Sequence, residues 1–146
     1  MRISSVCFGA VTALFLVGSA LCASSPYTVV APDRQAVATA NKWLSVMDAG
    51  NYAQAYAMFP ARVKSGGDVL EKQCVAIWRA RRTPLGHTLS RKFAKAYFGR
   101  TLQGAPDGYY EFLYYKTSFQ HKAQAIESVV LTKESGQWQV SGYRVR

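Results

Sequence analysis

The apolar residues of this chain change period once, at Pro84–Gly86, from helical spacing to strand spacing. Before that point Val37, Ala40, Leu44 and Met47 step by three and four, with Trp43 on the same side, which predicts an amphipathic helix. Asp33 is placed to cap its N-terminus and Gly50 to end it. Asn51 opens a second, short helix with Tyr52, Ala55, Tyr56 and Phe59 on one face, and Pro60 stops it. Residues 64–67 read as a loop. Asp68 and Glu71 have capping-box spacing, and Leu70, Cys74, Ile77 and Trp78 mark a third helix that ends in Arg79, Arg81 and Arg82.

After the switch the period is two. Thr88–Phe98, Tyr109–Phe119, residues 122–132 and Trp138–Val145 read as four strands, with turns at 104–108 and 133–136. Helices first and short-turned strands afterwards give an α+β domain. The expected architecture is three N-terminal helices packed on one face of a curved four-stranded antiparallel sheet. The first strand has no clean parity: Leu89, Phe93 and Tyr97 share a face with Arg91 and Lys95, while Ala94, Ala96 and Phe98 share the other with Lys92. A bulge near its middle would reconcile the two faces and help to curve the sheet.

The N-terminus carries a different signal. Arg2 precedes an apolar stretch from Val6 to Val17, and small residues follow at Gly18, Ser19 and Ala20, then Ala23 and Ser24. This pattern predicts a cleaved signal peptide over residues 1–23 and a protein exported to the periplasm or secreted. Cys22 raises lipid anchoring as the alternative, although the bulky Leu21 occupies a position where lipoprotein signals carry a small residue. Residues 24–32, with Pro26 and Pro32, form an extended lead-in, and residues 33–146 make one domain. Cys7 and Cys22 belong to the leader and its end, so cleavage after Cys22 or later leaves Cys74 alone and no disulfide is expected. Stability must come from an apolar core, for which the hydrophobic content of 49% suffices.

Six segments carry a family resemblance: Asn41-Lys42-Trp43-Leu44, Asp48-Ala49-Gly50-Asn51-Tyr52, Arg82-Thr83-Pro84-Leu85-Gly86, Gly104-Ala105-Pro106-Asp107-Gly108-Tyr109, Tyr115-Lys116-Thr117-Ser118-Phe119 and Gly136-Gln137-Trp138-Gln139-Val140-Ser141-Gly142-Tyr143. In this order they resemble the bacterial domain of unknown function family 4019 (DUF4019). The order of helices and strands resembles the cone-shaped fold named after nuclear transport factor two (NTF2), also called cystatin-like. The resemblance implies that fold and an exported location, and it brings no activity or catalytic residues. The architecture also implies a possible homodimer through the open sheet face.

Chemistry-bearing residues are few. His87 and His121 stand in no metal-ligand spacing with each other or with Cys74, so no metal or other cofactor is expected. Cys74 falls on the apolar helix face and reads as a buried thiol. On the third strand Ala123, Ala125, Val129 and Leu131 alternate toward the core, and Glu127 stands among them. A carboxylate there must be paired, hydrogen-bonded or protonated. It is either one half of a structural ion pair or a general acid or base inside the cone. Glu111, on a face with Tyr109, Leu113 and Tyr115, is the second such candidate. If both faced the cone, repulsion would raise the pKa of one. Tyr110, Phe112 and Tyr114 alternate onto the other face, as packing or as a ligand wall.

Charge is the strongest functional signal. The chain carries 18 Lys and Arg against 8 Asp and Glu, and no acidic residue lies between Glu71 and Asp107. Within that span Arg79, Arg82, Arg91, Lys92, Lys95 and Arg100, with Arg81, are candidates for one anion-binding patch. The partner would be an anionic envelope component or an acidic protein; an exported address makes nucleic acid a poor default. Two functions are therefore carried forward: a non-enzymatic binding or assembly module with a basic surface, and an isomerase- or hydrolase-like enzyme using Glu127 or Glu111.

Overall fold

The structure, a computed structural model, describes residues 26–146. The expected signal peptide over 1–23 and the Cys22 anchor lie outside the described residues. The chain runs β1 (Tyr27–Val30), α1 (Arg34–Asp48), α2 (Tyr52–Ala57), α3 (Ala61–Lys64) and α4 (Gly67–Arg82). A 3₁₀ turn (Thr83–Leu85) follows, then β2 (Thr88–Gly99), β3 (Tyr110–Phe119), β4 (Lys122–Glu134) and β5 (Gln137–Val145). The α+β architecture is as expected, with the helices against an antiparallel sheet.

Two counts differ. The sheet has five strands in the order β1-β2-β3-β4-β5, because part of the lead-in pairs with the far end of β2, Tyr27 opposite Gly99 and Val30 opposite Ala96. Four residues between two prolines carry too little pattern to read as a strand, and only the neighbouring edge makes them one. The helices number four among the described residues, since a single turn, α3, stands between Pro60 and the segment read as a loop, overlapping it only at Lys64.

Asp33 caps α1 as its position demands: its Oδ1 accepts the N–H groups of Gln35 (2.7 Å) and Ala36 (3.2 Å). Gly50, at φ +75°, closes the helix by donating its N–H to Met47 O. Asn51 begins α2 without a side-chain cap bond. The capping box expected at Asp68 and Glu71 does not form, because α4 starts earlier, with Gly66 in the capping position and Asp68 already in the first turn.

Trp43 is the centre of the core. It is fully buried, stacks on Phe59, meets Trp78 edge-on at 5.6 Å and touches the ring of Tyr143 at 5.2 Å. Its indole N–H donates to Ala55 O at 2.8 Å, so the one polar atom is satisfied. Ala36, Ala40, Leu44 and Met47 extend this face of α1, and Leu113, Val129, Leu131 and Val140 answer from the sheet. On α4 the buried stripe differs from the expected one. Ile77 is half exposed, and the inward residues are Leu70, Cys74, Trp78 and Arg82, each four apart. Cys74 is half-buried against the core rather than enclosed, and burial raises its thiol pKa.

The strand irregularity falls where the parity conflict asked for it. The register of β2 on β3 shifts between Phe93 and Lys95, and again between Thr88 and Ser90. A further shift on β4–β5, between Val130 and Leu131, adds to the curvature. At the entry to β2, Gly86 takes φ +72° and lies so close to Gln120 that a Cβ would sit 2.8 Å from that side chain. His121 donates its N–H to Leu85 O and Gln120 to His87 O, which ties the end of the helical layer to the β3–β4 turn.

Candidate functional site

Glu127 lies inside, wholly shielded from solvent, and four donors converge on it. Arg82 Nη1 (3.1 Å) and the Tyr143 hydroxyl (2.5 Å) donate to Oε1; Arg91 Nε (2.6 Å) and the Thr117 hydroxyl (2.6 Å) donate to Oε2. A carboxylate offers about four acceptor sites, and all are taken. The two arginines reach on to Asp48 at the last position of α1. Arg91 grips it with both terminal nitrogens (2.8 and 2.9 Å), Arg82 Nη2 donates at 2.5 Å and the Thr88 hydroxyl at 2.9 Å. Two cations and two anions thus form a neutral quartet that joins the ends of α1 and α4 to β2 and β4. The guanidinium of Arg82 also lies over the Phe119 ring at 4.5 Å.

The electrostatics follow from this closure. Burial alone would raise the Asp48 carboxyl, but the Arg91 hydrogen bonds and charge outweigh it and hold the pKa below 3.8. Burial would likewise discharge Arg91, and its bonds to Asp48 and Glu127 keep it more firmly charged instead. Burial and the Glu127 charge push the Tyr143 hydroxyl pKa up.

Glu111 sits elsewhere, at the opposite end of the sheet, and is 2% exposed. Its Oε1 accepts the Asp33 N–H at 2.9 Å. Burial raises its pKa, the Asp33 N–H partly opposes this, and the Asp33 carboxylate adds to it. Repulsion from Glu127, the cause expected from sequence, is not what perturbs it. Glu111 lines an open groove of about 740 Å³ with Asp33, Phe98, Tyr109, Lys133 and Trp138.

The six patch candidates do not assemble into one patch. Arg82 is 5% exposed and Arg91 half-buried, both committed to the quartet. Arg79 is exposed on α4, as is Arg81, and Arg100 lies beyond β2, its guanidinium 4.2 Å over the Tyr109 ring. Lys92 and Lys95 alone stand on the outer, helix-free face of the sheet, and there they meet cations that sequence adjacency missed. Lys92 pairs across to Lys116, Lys116 to Ile126, and Ile126 exchanges backbone bonds with Arg146. The next row runs Lys95, Tyr114, Ser128, Arg144. Strand register, rather than chain proximity, is the signal that would have found them.

Two adjoining hollows mark this face. One, of about 660 Å³, is lined by Lys92, Lys116, Lys122 and Arg146 together with Ser90 and Ser118. The other, of about 390 Å³, is lined by Tyr27, Lys95, Tyr97, Phe112, Tyr114 and again Arg146. The Lys95 ammonium sits 5.1 Å from the Tyr97 ring and 5.4 Å from that of Tyr114. No described Asp or Glu side chain lines either hollow. The β3 aromatics pack across strands, Phe112 on Tyr27 and Tyr114 on Tyr97. Among the described residues no three His, Cys, Asp or Glu side chains gather to hold a metal, and no helix is long and apolar enough to cross a membrane.

The chain is similar to a crystal structure from Campylobacter jejuni, provisionally described as an NTF2-like transpeptidase. The identity is 14%, the match covers 70% of this chain and 94% of that one, and the TM-score is 0.48. No curated protein matches the chain. The family model described as protein of unknown function (DUF4019) matches residues 39–143. That span runs from within α1 to within β5 and takes in the quartet and most of the basic sheet face, and the chain belongs to the DUF4019 family.

Proposed function

We propose that the protein is a non-enzymatic binding module of the cell envelope, whose helix-free sheet face holds a linear anionic polymer bearing phosphate or carboxylate groups. The observation that carries this reading is the separation of charge. Lys92, Lys95, Lys116, Lys122 and Arg146 line two hollows that share Arg146, and no Asp or Glu side chain among the described residues lines either one to neutralise them. Such unpaired cations in a concave surface concentrate anions. A polymer fits better than a flat bilayer, since the charges lie in consecutive hollows along the strands. The aromatic rings beside Lys95 offer contact to sugar or other apolar faces of the same chain. Residues 1–23 supply the export that this location needs.

Face-to-face homodimerisation is less favoured, because it would set cations against cations across the contact. The acid–base reading of Glu127 is also less favoured, because a carboxylate with four donors has no acceptor site left for substrate.

The test is binding to polyphosphate and to polygalacturonate, beside vesicles of phosphatidylglycerol. The polymer binding should weaken steeply between low salt and about 0.5 M, as exposed charges are screened. Lys92→Glu with Lys116→Glu should reduce it by about tenfold or more, and Arg79→Glu should leave it unchanged. Equal losses from the Arg79 variant, or binding to vesicles but to neither polymer, would overturn the reading.

A further inference from the structure

The fold buries two glutamates and treats them differently. Glu127 has four donors and two counter-charges. Glu111, 2% exposed at the groove wall, has one backbone N–H on Oε1, and no described residue donates to its Oε2. A buried carboxylate left without a cation is costly, and such groups collect where a ligand completes the set.

The surroundings say what would complete it. The groove floor and walls are apolar and aromatic, from Val30, Phe98, Tyr109 and Trp138. Asp33 stands beside Glu111 with Oδ1 engaged in the helix cap. The Trp138 indole N–H is buried and faces Asp33 without a completed hydrogen bond. One cation shares the groove with the two acids: Lys133 lines it with its ammonium 5.4 Å over the Trp138 ring. Two carboxylates and one ammonium therefore line one apolar cleft without a direct ion pair among the described residues. This differs from the quartet, where the charges close on each other.

We propose that this groove is a second binding site, distinct from the sheet face, for a small zwitterion with an apolar body, an aromatic α-amino acid being the simplest example. Its ammonium donates to Glu111 Oε2 and Asp33, and its carboxylate meets Lys133. Its side chain lies on Phe98 and Val30. A purely cationic ligand would gain the acids but face Lys133, and a purely anionic one would gain Lys133 but face the acids. Acids and a lysine in one groove favour a ligand that carries both charges.

A structural role for Glu111 predicts something else. Holding the Asp33 N–H requires one oxygen and no charge, which glutamine supplies equally well. The two roles separate in the variant Glu111→Gln. Titration calorimetry on the intact protein would use L-phenylalanine and its two single-charge analogues, phenethylammonium and 3-phenylpropanoate. Phenylalanine should bind at least about tenfold more tightly than either analogue. Glu111→Gln should weaken phenylalanine binding by about tenfold with its thermal unfolding midpoint unchanged or raised, and the exposed-side variant Lys133→Gln should weaken it comparably. Lys92→Glu with Lys116→Glu should leave it untouched, which separates this site from the sheet face. Binding of none of the three compounds, an analogue matching phenylalanine, or full binding by Lys133→Gln would overturn the proposal.

Discussion

Replacing Glu127 by glutamine tests whether the quartet holds the fold as a charge-neutral unit. The change keeps side-chain volume and removes one negative charge from a group with no solvent exposure. Arg82, whose side chain is 4% exposed, and Arg91 then share only Asp48 as counter-charge. The amide also presents an N–H₂ where an acceptor stood, so either Arg82 Nη1 or Arg91 Nε, which can only donate, loses its bond. Removing one partner of a buried pair costs about 3–5 kcal/mol. A small domain has roughly 5–15 kcal/mol in all, so the variant should fold but sit near its limit. With about 3–5 °C lost per kcal/mol at this size, the midpoint should fall by roughly 10–20 °C. Urea denaturation followed by far-UV circular dichroism gives the free energy directly. Adding Arg82→Met restores neutrality, with Arg91 facing Asp48 alone, so the double variant should be less destabilised than the sum of the singles by about 0.5–3 kcal/mol. A loss below about 1 kcal/mol for Glu127→Gln, or strict additivity, would refute the idea that buried charge balance is what the quartet supplies.

Asp33→Ala removes the cap of α1 and should cost about 1 kcal/mol in urea denaturation. The Asp48 carboxyl, held below 3.8 by Arg91, contributes stability that is complete above about pH 4 and is lost as pH falls through its lowered folded-state value. Asp48→Asn should therefore flatten the pH dependence of the unfolding midpoint below pH 4, and an unchanged acid limb would count against this assignment.

The parts of the fold that could be read in the sequence were those set by local rules. The change of period at Pro84–Gly86 marked the junction of helices and sheet, and Asp33 and Gly50 bounded α1. Alternation on β4 placed Glu127 inside. What could not be read depended on pairing across the chain. β1 exists because an edge of β2 is there to receive it. Arg82 stands among the patch candidates for a local reason: it ends the helix in a run with Arg79 and Arg81. Spacing by four from Leu70 through Cys74 and Trp78 also leads to Arg82, but a charged residue at the end of an apolar stripe reads as solvent-facing until its carboxylate partners are known. Those partners are Asp48, 34 positions away, and Glu127, 45 away.

The acid-free span between Glu71 and Asp107 thus divides by structural layer. Its two innermost arginines, Arg82 and Arg91, meet Asp48 and Glu127, residues from outside the span, and leave no net charge behind. Other carboxylates are also accounted for away from the outer face: Glu134 pairs with Arg62, while Asp33 and Glu111 line the groove. Alternation in the strands then does the sorting. Inward positions on β2 and β4 take Arg91 and Glu127, and outward positions take Lys92, Lys95 and Lys122. A one-residue slip of β2 on β3 would turn Lys92 and Lys95 inward without partners and take Arg91 out of the quartet. The neutral quartet therefore fixes the register that keeps the outer cations unpaired, and the basic face depends on the buried charges as much as on its own.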